Sequence, residues 1–213
     1  MEFFTLYTIP PFLSSLLFLF LGFSVYWSNR KSIINIIFLF VCFVTSWWQF
    51  SWFVLFNIQN EALASYLVKI GHIGIIFIPI FFLHFFLSFL GKISKFDKYL
   101  LYFSYLAGLI FEVVLWTTNY FIDGFYKYFW GFYPKAGLLH PLYLLFLTFI
   151  SIRIIYLLFS FLKREDKVTR SIKRHQAKYM LLALMFYILA ASDFLVNYGV
   201  EFYPFGFLFI LIF

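Results

Sequence analysis

Six ionisable side chains stand inside otherwise apolar runs: Lys69, His72, His84, Glu112, Arg153 and Asp193. Each costs about 2.5–3.5 kcal/mol at the centre of a bilayer, so it needs a partner or a polar cavity. Carboxylates, a lysine and histidines at such depth can relay protons, hold a polar ligand or lock helices together. Lys69 and His72 are three residues apart and share a helix face. Gly71 and Gly74 flank His72 and permit close helix approach. Ser104, Gly108 and Glu112 form one stripe of small and polar residues; Ala183, Ala190, Asp193 and Asn197 form another. Both stripes are expected to face inward. Lys69, His72, Glu112 and Asp193 make up the candidate signal- or ligand-sensing cluster, with Lys69 paired to Glu112 or Asp193. The same geometry also fits hydrogen bonding that only locks the bundle. Arg153 is expected to snorkel or pair structurally, and His84 to be a buried, satisfied histidine. His175, in the string RHQAKYM, reads as a charged loop residue at a helix start. No catalytic residue stands out, because HExxH, GxSxG and Gly-rich phosphate loops are all missing from the sequence. Metal-ligand spacing is missing too, and neither a metal nor a cofactor is expected.

The elements that position these residues follow from composition. Of 213 residues, 64% are hydrophobic, 27% aromatic and only 12% charged, too few to cover a water-soluble globule. An integral membrane protein is the class that remains. The apolar runs are continuous and about 20 residues long, twice the length of barrel strands and without their alternation. They predict an all-α bundle with helices at about 9–27, 33–57, 65–90, 99–116, 138–162 and 177–197. A seventh run, 205–213, reaches only about 14 Å at 1.5 Å per residue, so this helix is expected to be incomplete and to continue past Phe213. The lone cysteine, Cys42, lies in an apolar run and has no intrachain partner.

Basic residues set the orientation. Arg30 and Lys31 follow the first run, and Lys92, Lys95 and Lys98 follow the third. Lys163, Arg164, Lys167, Arg170, Lys173, Arg174 and Lys178 follow the fifth. These twelve lie on one side; only Lys127 and Lys135 lie on the other. The predicted architecture is a seven-helix up-and-down transmembrane bundle with its N-terminus outside. Trp47, Trp48, Trp52, Trp116 and Trp130 are expected towards the outer interface and Trp27 at the inner one.

Three segments carry a family resemblance: KYFWGFYPKAGLLHPLYLLF (127–146), RHQAKYMLLAL (174–184) and SDFLVNYGVEFYPFGFLF (192–209). Together they resemble the N-terminal seven-helix membrane region of bacterial sensor histidine kinases. Val196 stands where that pattern has proline. The resemblance implies one transmembrane sensory domain over 1–213, followed by a cytoplasmic signalling enzyme. It implies the bacterial inner membrane, a small ligand or membrane signal as input, and a homodimer formed through the cytoplasmic part. The lipid bilayer is the partner implied throughout; nucleic acid is not. Helix 7 would be the output rod. Two rival readings are a small transporter or channel and a membrane enzyme acting on lipid. No internal repeat supports the first, and no metal motif or nucleophile supports the second.

Overall fold

The computed structural model describes residues 6–91, 93–163 and 171–211. Among the described residues, seven α-helices and one two-stranded hairpin follow one another: α1 Ile9–Ser28, α2 Ile33–Asn57, α3 Glu61–Leu90, α4 Lys95–Thr117, β1 Ile122–Tyr128, β2 Gly131–Ala136, α5 His140–Lys163, α6 Ser171–Leu189 and α7 Gly206–Ile210. A 3-10 segment, Ala190–Tyr198, continues α6. Six helices are long and apolar enough to cross a membrane, the last of them counted through the 3-10 segment. These six are the long apolar helices that the hydropathy predicts. Arg164, Lys167, Arg170 and Lys92 of the predicted basic face lie outside the described residues, as do 212–213 at the end of the seventh run.

Helices α3 and α4 start about one turn earlier than hydropathy suggests, because capping side chains rather than apolar residues begin them. Asn60 accepts the Leu63 N–H ahead of α3. Ser94 accepts the Asp97 N–H ahead of α4 and donates its own hydroxyl to Asp97 Oδ2 at 2.6 Å. Lys95 and Lys98 thus belong to the first turn of α4 rather than to a loop.

Helix α3 is the central post and packs against α2, α4, α5 and the hairpin. Its close approach to α2 depends on glycine: a Cβ at Gly74 would meet Val44 O at 2.6 Å, and one at Gly71 would run into the Trp52 ring. The core is continuous, from Phe18, Val41 and Leu55 through Ile76, Leu83 and Phe86 to Ile150 and Leu158. Large apolar side chains such as Phe20, Leu145 and Leu182 point outward instead, as a lipid-facing surface requires.

Pro79 sits inside α3. It has no N–H, so the carbonyl four residues back, Ile75 O, loses its helical partner. The Tyr143 hydroxyl of α5 donates to that oxygen at 2.7 Å, fully buried. One defect in α3 is thereby converted into an α3–α5 tie.

The hairpin is absent from the sequence-based reading. Its strands pair Phe125 with Pro134, Tyr126 with Tyr133 and Tyr128 with Gly131. Gly131 has φ +138°, and a Cβ there would lie 2.7 Å from Phe56 Cα, so only glycine lets the hairpin seat on α2. Phe121, Ile122, Trp130, Phe132 and Tyr133 are buried. The hairpin closes the end of the bundle that also carries the α2–α3 connection. The tryptophans expected towards the interfaces differ in which way they face. Trp27, Trp47 and Trp116 are exposed, whereas Trp48, Trp52 and Trp130 face inward and are 7%, 3% and 2% exposed.

Candidate functional site

Each member of the expected cluster has its own surroundings. Lys69 Nζ donates to Thr118 O at 3.2 Å, at the C-terminal end of α4, where a cation complements the helix dipole. Glu112, half-buried on α4, has Oε1 buried without a hydrogen-bond partner. Asp193 accepts the Gly206 N–H with both carboxylate oxygens, at 2.9 and 3.0 Å. No ion pair joins Lys69 to Glu112 or to Asp193 among the described residues, so that pairing is corrected. Lys69 is taken up by a helix end and Asp193 by the backbone that opens α7. The two small-residue stripes do face inward, with Ser104, Gly108, Ala190, Asp193 and Asn197 buried.

His72 is fully buried. Its Nδ1 lies 2.6 Å from Val68 O, and a carbonyl only accepts, so Nδ1 carries the proton. Its ring lies 5.8 Å from Trp52, 6.0 Å from Phe121 and 6.3 Å from His140. His140, at the start of α5, is also fully buried and bonds Tyr198 OH through Nδ1 at 2.8 Å. Nothing in the sequence spacing joins His140 to His72, 68 residues away. Among the described residues no group of three His, Cys, Asp or Glu side chains could hold a metal ion.

Asp193 belongs to the 3-10 segment, and the hairpin grips that segment from above. Tyr133 OH donates to Asp193 O at 3.3 Å and Tyr128 OH to Val196 O at 3.0 Å. Burial, with the nearby Asp193 carboxylate second, holds the Tyr133 phenol well above its usual range, so it stays a donor. Gly206 admits the carboxylate because it has no side chain: a Cβ there would lie 2.8 Å from Asp193 Cγ. Tyr203, just before α7, donates to Tyr7 O at 2.7 Å, ahead of α1. The start of α7 is thus tied to two parts of the bundle.

Arg153 and His84 lie towards the opposite, basic end. Arg153 pairs with Asp97 through Nε and Nη2, at 2.9 and 2.8 Å from Oδ1, and the carboxylate is 2% exposed. The guanidinium also stacks over Phe96 and Tyr156. Asp97 drew no notice in the sequence because it reads as a loop residue among lysines. His84 is half-buried rather than buried, and its Nδ1 bonds Tyr105 OH at 2.9 Å. His175 lies on α6 and is exposed.

An apolar cleft of about 570 Å³, mouth included, opens between α3, α5 and α6, with Trp48 of α2 at its back and Ala190, Ala191 and Phe194 of the 3-10 segment at one end. A smaller void beside it is lined by Trp48, Trp52, Tyr133, Asp193 and Asn197. The bundle therefore holds a space that touches the segment anchoring α7.

A family model described as the N-terminal 7TM region of histidine kinase matches residues 10–213. The chain belongs to that family. This histidine kinase 7TM region is a multi-pass membrane protein by its spans, and such a region is not itself the catalytic part of a kinase. Membership accounts for the resemblance at 127–146, 174–184 and 192–209, which supply the hairpin, α6 and the Asp193–Gly206 junction. Comparison with curated proteins gives no match.

Proposed function

We propose that this histidine kinase 7TM region is the sensory input module of a two-component signalling protein in the bacterial inner membrane. In this reading the N-terminus is outside, the basic end is cytoplasmic, and α7 carries the signal to a cytoplasmic histidine kinase that pairs as a homodimer. The observation that carries it is the anchoring of α7. Its first N–H is held by a buried carboxylate from the preceding span, so a change at the 3-10 segment moves the output helix directly. A ligand shifts such an equilibrium only by binding one helix arrangement better than the other. The sensing cluster is then read as two devices: Asp193 at the output junction, and Lys69, His72 and Glu112 around α3 and α4.

The test is autophosphorylation of the full-length protein in membranes. Substitution of Asp193 or Glu112 is expected to change the activity. A gene that stops shortly after α7, together with solute flux in reconstituted vesicles, would overturn the reading in favour of a transporter. The orientation is checked separately with Lys167→Cys, which an impermeant thiol reagent should fail to reach in intact cells. Labelling from outside would reverse the topology.

A further inference from the structure

We infer that the cleft between α3, α5 and α6 binds an uncharged, bilayer-dissolved molecule with an apolar body and a carbonyl acceptor. The apolar body follows from the walls. Ile78, Leu147, Ile154 and Leu184 line the cleft, and no Asp, Glu, Lys or Arg does. A charged ligand would find no counter-ion there and would lose its hydration. The cleft also lies wholly between membrane-spanning helices, so its ligand arrives from the lipid phase.

The acceptor follows from the donors. Two tyrosine hydroxyls border the cleft, and both are engaged within the protein: Tyr143 with Ile75 O at 2.7 Å and Tyr187 with Thr45 Oγ1 at 3.1 Å. Trp48 is different. Its indole N–H is buried and has no acceptor. In the adjoining void the Asn197 side-chain N–H₂ is buried and likewise has none. An indole N–H can only donate. A buried donor left unmade is expensive, so a ligand bringing an acceptor is favoured over a hydrocarbon that brings none. A ketone, ester or quinone-type carbonyl meets that condition.

Occupancy has a route to the output. Ala190, Ala191 and Phe194 border the cleft and belong to the same 3-10 segment as Asp193, which holds Gly206. Runs of 3-10 helix longer than three or four residues are uncommon, and within a span they often mark a hinge. Here the run is nine residues long. A ligand wedged against Ala191 and Phe194 therefore bears on the piece of chain that positions α7. This coupling rests on the sensory reading proposed above; the site itself does not, because its occupancy is measured on this chain without any kinase.

The probe is benzophenone, an uncharged diaryl ketone that cross-links to nearby C–H bonds under light. The full 213-residue chain in phosphatidylcholine nanodiscs is irradiated with it, and the adducts are mapped by mass spectrometry. Adducts should concentrate on Leu147, Ile154 and Leu184. Trp48→Phe keeps an aromatic ring, though a smaller one, and removes the donor, and should weaken saturable labelling by about threefold to tenfold. Ala191→Leu fills the cleft and should abolish it. Unchanged helicity of both variants by circular dichroism shows that they fold. Adducts spread over outward residues such as Leu145 and Leu182, alike in all three proteins, would overturn the site. Labelling lost in Ala191→Leu but undiminished in Trp48→Phe would overturn the carbonyl assignment. A kinase that ignores the cleft, with labelling as expected, would refute the coupling and leave the site standing.

Discussion

Replacing Asp193 with alanine should release α7 from the bundle. The carboxylate is 5% exposed and accepts one backbone N–H with two oxygens, at 2.9 and 3.0 Å. Hydrogen bonds to charged groups contribute about 1.5–3 kcal/mol, and the substitution removes both oxygens from the Gly206 N–H. At about 1.4 kcal/mol per decade, the equilibrium between seated and displaced α7 shifts by roughly tenfold to a hundredfold. The Tyr203–Tyr7 bond remains, so the displacement is partial rather than a loss of fold. Spin labels at Leu13→Cys on α1 and Leu208→Cys on α7 would report it, since both positions are about half exposed. Cys42 is fully buried and should not take the label. The parent should give one narrow distance distribution in nanodiscs. Asp193→Ala should broaden it or add a second peak, while Asp193→Asn, which keeps an acceptor oxygen, should stay close to the parent. Gly206→Ala should mimic Asp193→Ala, because its Cβ would displace the carboxylate. A distribution for Asp193→Ala that overlays the parent would refute the idea that this contact positions α7.

Tyr143→Phe should lower thermal stability by about 1–3 kcal/mol, because it strands the Ile75 carbonyl. Adding Pro79→Ala restores a helical N–H to that oxygen, so the double variant should recover much of the loss; strict additivity in detergent unfolding would show that the two are independent. Arg153→Ala leaves the Asp97 carboxylate 2% exposed without its cation and should cost about 3 kcal/mol, with Arg153→Lys recovering part of it; an unchanged melting midpoint would show the pair to be incidental.

Much of this protein was legible without coordinates, and the reason is that hydropathy is local. A run long and apolar enough to span a bilayer satisfies its own backbone as a helix, whatever its neighbours do. The six spans follow from that alone, and the inward small-residue stripes follow from helical spacing within them. So does the defect at Pro79, because a proline inside a helix always orphans a carbonyl one turn back. Other features depend on which way each helix is turned and what it meets. With aromatic residues at 27% of the chain, an inward Trp52 and an outward Trp116 look alike in sequence. The hairpin escaped notice for the same reason, since aromatic residues stand on both of its faces and hide the two-residue alternation. Lys69 was matched to a carboxylate on charge, yet the nearest available acceptor was the end of α4, and Asp193 was already taken by Gly206. That Tyr143 would reach Ile75, that His72 would meet His140, and that α6 would end in a 3-10 run holding α7 were decided by tertiary packing. Each of these joins groups between 13 and 68 residues apart in the chain, where no local pattern can register them.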